Sequence, residues 1–251
     1  MLTFPYAELP NHPKPRRLRE LKLGEAIQIG RMPPLLEAQL TAFLGFILDD
    51  KDLPLSLTIQ ERYYLLMLYR TCQKDSDLAL EGDYSAYFIQ PSQRLPWYQQ
   101  QQSDQLLMAQ LTGQQAEVLE ELCEDLLDWT LGAMALQCQQ INNLEQWPIL
   151  PTPATREQTA QIMRERIAIL EAMPDSDFDQ LYAEYSYLNE QCHYLVKTGF
   201  DKHGIVIYGG ADDAPVRFRV ITCMGRFSQF MAKLMAETRT EPSETMQYEH
   251  E

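Results

Sequence analysis

Histidine and cysteine are scarce in this chain, four and five of 251 residues, and no two of either stand at metal-ligand spacing. Structural zinc sites draw on pairs such as Cys-x2-4-Cys or His-x3-5-His. Zinc is therefore not expected, and Cys192, His193 and His203 are the nearest approach to a soft-ligand trio. Cys192 falls on an apolar helical stripe, where a free thiol behaves as a small hydrophobe; His193 falls on another face. A cysteine nucleophile needs a base beside it, and His12, His193, His203 and His250 supply no local signature for one. The eleven glycines form no GxxxxGK[ST] or GxGxxG loop, and the adjacent pair in "YGGADDAP" opens no helix. No cofactor is expected, and the chain does not read as an enzyme.

Long apolar runs are missing too. Nothing approaches the roughly 18 residues that cross a bilayer, and "MLTFPYAELPNHPKP" has no continuous apolar core of the kind a signal peptide carries. Basic residues are short, 21 against 36 acidic, for a net charge of −15. Such a surface repels phosphate backbones and anionic lipid, which argues against nucleic acid and membrane as partners and for a cytoplasmic protein. The shortage is uneven. "KPRRLRELK" (Lys14 to Lys22) holds five bases and one acid, whereas Asp75 to Thr130 holds eleven acids and only Arg94 as a base. The basic stretch reads either as a docking arm or as a solvated helix start that balances the acidic half, and the second reading is preferred.

Helical periodicity is what the chain has in quantity. Residues 1–15, with four prolines, read as an extended or disordered arm. A short helix before Pro33 follows, then one opened by Pro34 with Leu36, Leu40, Phe43, Leu44 and Ile47 in a stripe. In "LSLTIQERYYLLMLYRTC" (Leu55 to Cys72), Thr58 and Glu61 make a capping box and Tyr63 to Tyr69 is apolar all round. That predicts a central, buried helix, with Arg70 meeting free carbonyls or Asp75 or Asp77 near its end. "YSAYFI" suggests a short strand, and "PSQRLPWYQQQQ" a loop or partner-facing surface. One helix is expected through "GQQAEVLEELCEDLLDW" and on into "TLGAMALQCQQ", with a kink near Gly132.

"WPILPTPATRE" reads as a linker. Beyond it Thr155 and Gln158 form a second capping box, with Ile162, Met163, Ile167 and Leu170 on one face. Ser176 is expected to cap the next helix, which carries Phe178, Leu181, Tyr182, Tyr185, Leu188, Cys192 and Leu195 and ends at Gly199. Phe178, Tyr182 and Tyr185 fit a helix seam better than a base-stacking platform, because Asp177, Asp179 and Glu184 lie close by. Asp175, Asp177 and Asp179 suit a helix N-terminus, and Asp212 and Asp213 a turn, better than acid–base work. Ile205 to Tyr208 and Val216 to Thr222 are expected to pair as a hairpin, and a last helix to carry Phe227, Phe230, Met231 and Leu234 on one side. The fold class is mainly α (α+β), with a bundle-like N-terminal part and a C-terminal helical hairpin plus a small antiparallel β-hairpin. The expected segments are an arm (1–15), a helical domain (16–147), a linker (148–156), a second unit (157–238) and an acidic tail (239–251).

Four segments, "LRELKLGEAIQIGRMPPLLEAQLTAFLGFIL", "LTIQERYYLLMLY", "LTGQQAEVLEEL" with "DWTLGAMALQ", and "DFDQLYAEYSYLNEQCHYLVKTGFDKHGIVI", occur in this order. Together they resemble a group of phage and prophage tail-module proteins, the baseplate and tail assembly proteins of contractile-tailed phages, over residues 16–235. The resemblance implies a non-enzymatic virion or assembly protein. Its partners would be other tail or baseplate proteins or further copies of itself, and its place the host cytoplasm during assembly or the virion. An assembly chaperone or regulatory adaptor not retained in the particle is the first alternative, and an enzyme with a site built from scattered residues, Cys192, His193 and His203, is the less favoured one. The contact surfaces expected are Arg16, Arg17 and Arg19 on the arm, Trp97 and Tyr98 in the loop, and Asp212 and Asp213 at the hairpin tip.

Overall fold

The computed structural model describes residues 6–72, 84–94, 100–142, 144–210, 213–225, 227–231 and 233, in a mainly α, mixed α+β fold. The described part of the 1–15 segment is a ribbon rather than a free arm. β1 (Tyr6–Leu9) and β2 (His12–Arg17) pair antiparallel. Ala7 and Leu9 alternate with exposed neighbours and enter the core together with Leu18. This two-residue period is the signal that the surrounding prolines concealed, and prolines are tolerated on strands with a free edge.

α1 (Leu23–Gly30) and α2 (Leu36–Leu48) follow, and Leu40, Phe43, Leu44 and Ile47 of α2 are buried as the stripe requires. After the single turn α3 (Leu53–Ser56) comes α4 (Ile59–Thr71). Its capping box is present: Thr58 N–H donates to Glu61 Oε2 at 2.9 Å and Glu61 N–H to Thr58 Oγ1 at 3.3 Å. From Ile59 to Arg70 only Tyr64 and Leu68 escape full burial, so α4 is the central helix. Arg70 donates to the Thr222 carbonyl and lies over the Tyr84 ring; Asp75 and Asp77 fall outside the described residues.

The expected strand at "YSAYFI" is instead a 3-10 turn, Tyr84–Tyr87, with Phe88 alone bridging Val196. The turn puts residues three apart on one side, which lets Tyr84 and Tyr87 both pack against Phe218. A strand would point them to opposite faces. β3 (Gln100–Gln102) and β4 (Leu106–Ala109) were not foreseen. The expected long helix is two, α5 (Gly113–Leu122) and α6 (Leu126–Gln137), because Asp125 takes the Asp128 N–H at 3.0 Å and starts a new helix. The α6 helix runs uninterrupted through Gly132. A Cβ there would lie 2.6 Å from Leu119 Cδ2, so glycine lets α6 press against α5. α6 runs into β5 (Cys138–Ile141), completing an antiparallel sheet ordered β3-β4-β5.

α7 (Arg156–Glu171) has the expected Thr155–Gln158 box. α8 (Asp175–Gln191) begins one residue before Ser176: Pro174 takes the cap position, and its carbonyl accepts from Asp177 and Phe178 N–H. α8 also stops at Cys192 rather than Gly199. The stretch read as its last turns becomes β6 (Lys197–Asp201), paired antiparallel with β7 (Gly204–Tyr208). The tight turn wins because the Asp201 carboxylate accepts His203 N–H at 2.7 Å and Gly204 adopts φ 115°, a conformation glycine tolerates. The expected pairing of β7 with 216–222 shrinks to one bridge, Ile207 to Val216, before a 3-10 turn at Val220–Cys223.

One apolar cluster joins Leu9, Phe43, Leu65, Leu119, Met163, Val196, Ile207 and Val220, so it draws on both sides of the proline-rich 148–156 segment. A second lies between α6, α7, α8 and the three-stranded sheet, with Met108, Leu170, Leu181, Tyr185 and Leu188. Residues 227–231 are helical, with Phe227 and Phe230 exposed and Ser228 buried; Leu234 lies outside the described residues. Among the described residues no helix is long and apolar enough to cross a membrane.

Candidate binding groove

Three polar side chains in the interior decide which residues remain open to a ligand. Gln60 of α4 behaves like a piece of strand. Its amide nitrogen donates to Cys192 O at 2.6 Å and Gln110 Oε1 at 2.8 Å, and its oxygen accepts Tyr194 N–H at 2.7 Å and Leu195 N–H at 3.1 Å. Arg62, wholly buried, donates to the Glu37 carboxylate and Glu37 carbonyl, both at 2.9 Å, to Pro54 O at 2.8 Å and to Thr41 Oγ1 at 3.0 Å. Tyr63 donates its hydroxyl to the other Glu37 oxygen at 2.6 Å, and burial beside that carboxylate pushes its pKa well up. Arg166, also wholly buried, has carbonyls for its hydrogen-bond acceptors: Ala135 at 2.6 Å, Cys138 at 2.9 Å and Pro148 at 2.7 and 2.9 Å. Burial lowers its pKa to about 10. The Trp147 ring lies 4.9 Å from its guanidinium carbon. All three hold backbone segments together, and none lines the large surface groove.

A groove of about 770 Å3 opens beside them. Ile29, Met32, Leu35 and Leu36, from the α1–α2 connection, form one wall, and Ile221 and Met224 the other. His203, Arg217 and Arg219 stand at its polar side. Arg217 is committed to Asp201 and to the His203 carbonyl. Arg219 is exposed and makes no ion pair among the described residues. The groove's carboxyl group is Glu120, which reaches from α5 to the N-terminus of α2 and accepts from Leu36, Glu37 (2.8 Å) and Ala38 (3.4 Å) N–H. An anion suits that helix end, yet burial, with the nearby Glu37 carboxylate, lifts the Glu120 pKa to about 7.

That shift has a measurable consequence. Folded Glu120 keeps its proton to about pH 7, whereas its ordinary value is 4.5. Between those values the folded chain binds more protons than the unfolded one, so this group makes stability fall as pH rises. Buried His193 acts oppositely in the same window, since burial lowers its pKa below 6.5. The difference between wild type and Glu120→Gln isolates the first effect. The melting-temperature advantage of the glutamine variant should grow from pH 5 to pH 7.5 and level off above; a constant difference would show that Glu120 is ionised throughout.

His193 is 7% exposed and lines a separate cavity of about 30 Å3 with Gln60, Gln110, Gln137, Asn189, Cys192 and Thr198, room for about one water. Its Nδ1 is 3.5 Å from a Glu190 carboxylate oxygen. Cys192 is core, with its pKa raised by burial to about 11. His203 belongs instead to the groove, and among the described residues no three His, Cys, Asp or Glu side chains converge to hold a metal ion.

The surfaces expected from the sequence fare unevenly. Arg16 lies 4.0 Å from Asp50 at the surface, and Arg19 forms a two-bond pair with Glu25 at 2.7 and 2.9 Å. Arg17 is exposed on β2. Asp213 is exposed with φ 51° and stands 3.7 Å from Lys197 Nζ. Trp97, Tyr98 and Asp212 lie outside the described residues. The groove was missed because its lining comes from residues spaced through the chain; "GRMPPLL" and "RFRVITCM" carry its walls, and neither is a motif. Comparison with known protein families, curated proteins and solved structures finds no match to this chain.

Proposed function

We propose that the chain is a non-enzymatic component of a phage tail module, a virion subunit or an assembly factor, that works through protein–protein contacts. The observation that carries this reading is how the charged groups are distributed. The interior Arg62, Glu37 and Arg166 are bonded to backbone and to one another, while an apolar groove with a cationic side stays open at the surface. This favours a surface that recognises over a site that reacts, in keeping with the tail-module resemblance.

The reading is tested by expressing the tagged chain with the proteins encoded beside it and following the complex by size exclusion. The expected result is co-elution with at least one tail or baseplate protein; migration alone beside every one of them overturns the reading. Deleting the N-terminal segment is a poor probe, because it removes Ala7, Leu9 and Leu18 from the core. Arg17→Glu examines the basic ribbon without that damage.

A further inference from the structure

We infer that the groove beside Arg219 takes a short segment of a partner protein in which aliphatic side chains are flanked by a carboxylate. The aliphatic groups lie on Met32, Leu35, Ile221 and Met224, and the carboxylate pairs with Arg219. This rests on the reading of the chain as a protein-binding component and names the chemistry of what it binds.

Charge complementarity selects the occupant. The chain carries a net charge of −15, yet Arg217, Arg219 and His203 gather at this one apolar groove. The Asp201 carboxylate already holds Arg217, whereas Arg219 has no ion-pair partner among the described residues. Glu120 turns its oxygens into the N-terminus of α2 and is partly protonated near neutrality, so it competes weakly for that arginine. An anionic group is thus wanted at one point, with apolar surface around it.

The walls favour a peptide over a rigid small molecule. Met32, half-buried at the groove, is unbranched and polarizable, a side chain that re-packs around varied aliphatic groups, while Met224 forms the floor as part of the core. The volume of about 770 Å3 admits several side chains at once. Arginine beside half-buried aliphatic side chains, here Met32, Leu35 and Ile221, is also a pairing from which interface anchors are built. An added carboxylate on the partner would gain from an arginine that has no ion-pair partner among the described residues.

The test selects a displayed library of random short peptides on the full chain and measures the winners, fluorescein-labelled, by anisotropy. The expected winners combine Leu, Ile or Phe with Asp or Glu. Arg219→Glu and Leu35→Asp should each weaken them by about tenfold or more, with circular dichroism and melting temperature unchanged for Arg219→Glu, whose side chain is exposed. Absence of such winners overturns the inference. So do winners indifferent to both variants, or dodecanoate binding at an Arg219-dependent site with no peptide selected, which would assign the groove to a lipid-like anion. Acidic–aliphatic winners without a tail-module partner would keep the groove and remove the phage reading. A tail-module partner whose binding ignores Arg219→Glu would do the reverse.

Discussion

Replacing Arg166 by methionine lowers the stability of the fold by about 3–5 kcal/mol. The argument is a contest between two effects. Moving a guanidinium out of water is costly, and the pKa drop to about 10 registers that cost. An apolar side chain of similar volume avoids it, and where a buried ion pair is replaced as a whole the exchange is often neutral. Here no whole exchange is available. The acceptors are main-chain carbonyls of Ala135, Cys138 and Pro148, which stay in place when the arginine goes. Two sit at the end of α6, where carbonyls have no intrahelical donor. Cys138 O keeps the Trp147 indole N–H at 2.9 Å, but Ala135 O and Pro148 O lose their side-chain donor. Unpaired buried acceptors outweigh the relief of desolvation. Urea unfolding of Arg166→Met measures the difference, and a midpoint within error of wild type would contradict the assignment. Lysine should rescue only part, since one ammonium cannot span the fork.

Arg62→Met carries a comparable loss, about 3–5 kcal/mol, for a different reason. It leaves the Glu37 carboxylate, 2% exposed, with the Tyr63 hydroxyl and no cation. Adding Glu37→Leu removes the stranded charge and should recover part of the loss. Recovery stays incomplete because Pro54 O and Glu37 O still lack the arginine donor. A double variant less stable than Arg62→Met alone would contradict this account of the pair. Both variants act through the scaffold and leave the exposed Arg219 in place.

The helices legible in the sequence are those with a cap beside a periodic stripe. Thr58–Glu61 and Thr155–Gln158 define their helix starts because capping is local: the satisfied N–H groups lie within one turn. Errors cluster where a distant partner decides. Gly199 looks like a helix end, but it sits in β6, where its missing Cβ leaves room for the Tyr208 ring across the ladder. β4 and β5 pair across more than twenty residues of intervening helix, so "QLLMAQ" and "CQQI" carry no hairpin signal. Arg166 resembles an ordinary surface arginine because its acceptors are carbonyls, which every sequence has, and Arg62 because its carboxylate partner, Glu37, lies 25 residues away on another helix. The groove is hidden for the same reason: Glu120 caps a helix 84 residues away, and Arg219 and Leu35 come to line one groove through folding alone.

The central claim, that this chain works by holding another protein, is tested most directly by cross-linking the native chain in cells that express it together with the proteins encoded beside it. Exposed Lys202 stands next to His203 at the groove. The predicted result is a cross-link from Lys202 to a tail or baseplate protein, present in wild type and lost in Arg219→Glu. Cross-links to no tail-module protein from any lysine would contradict the account.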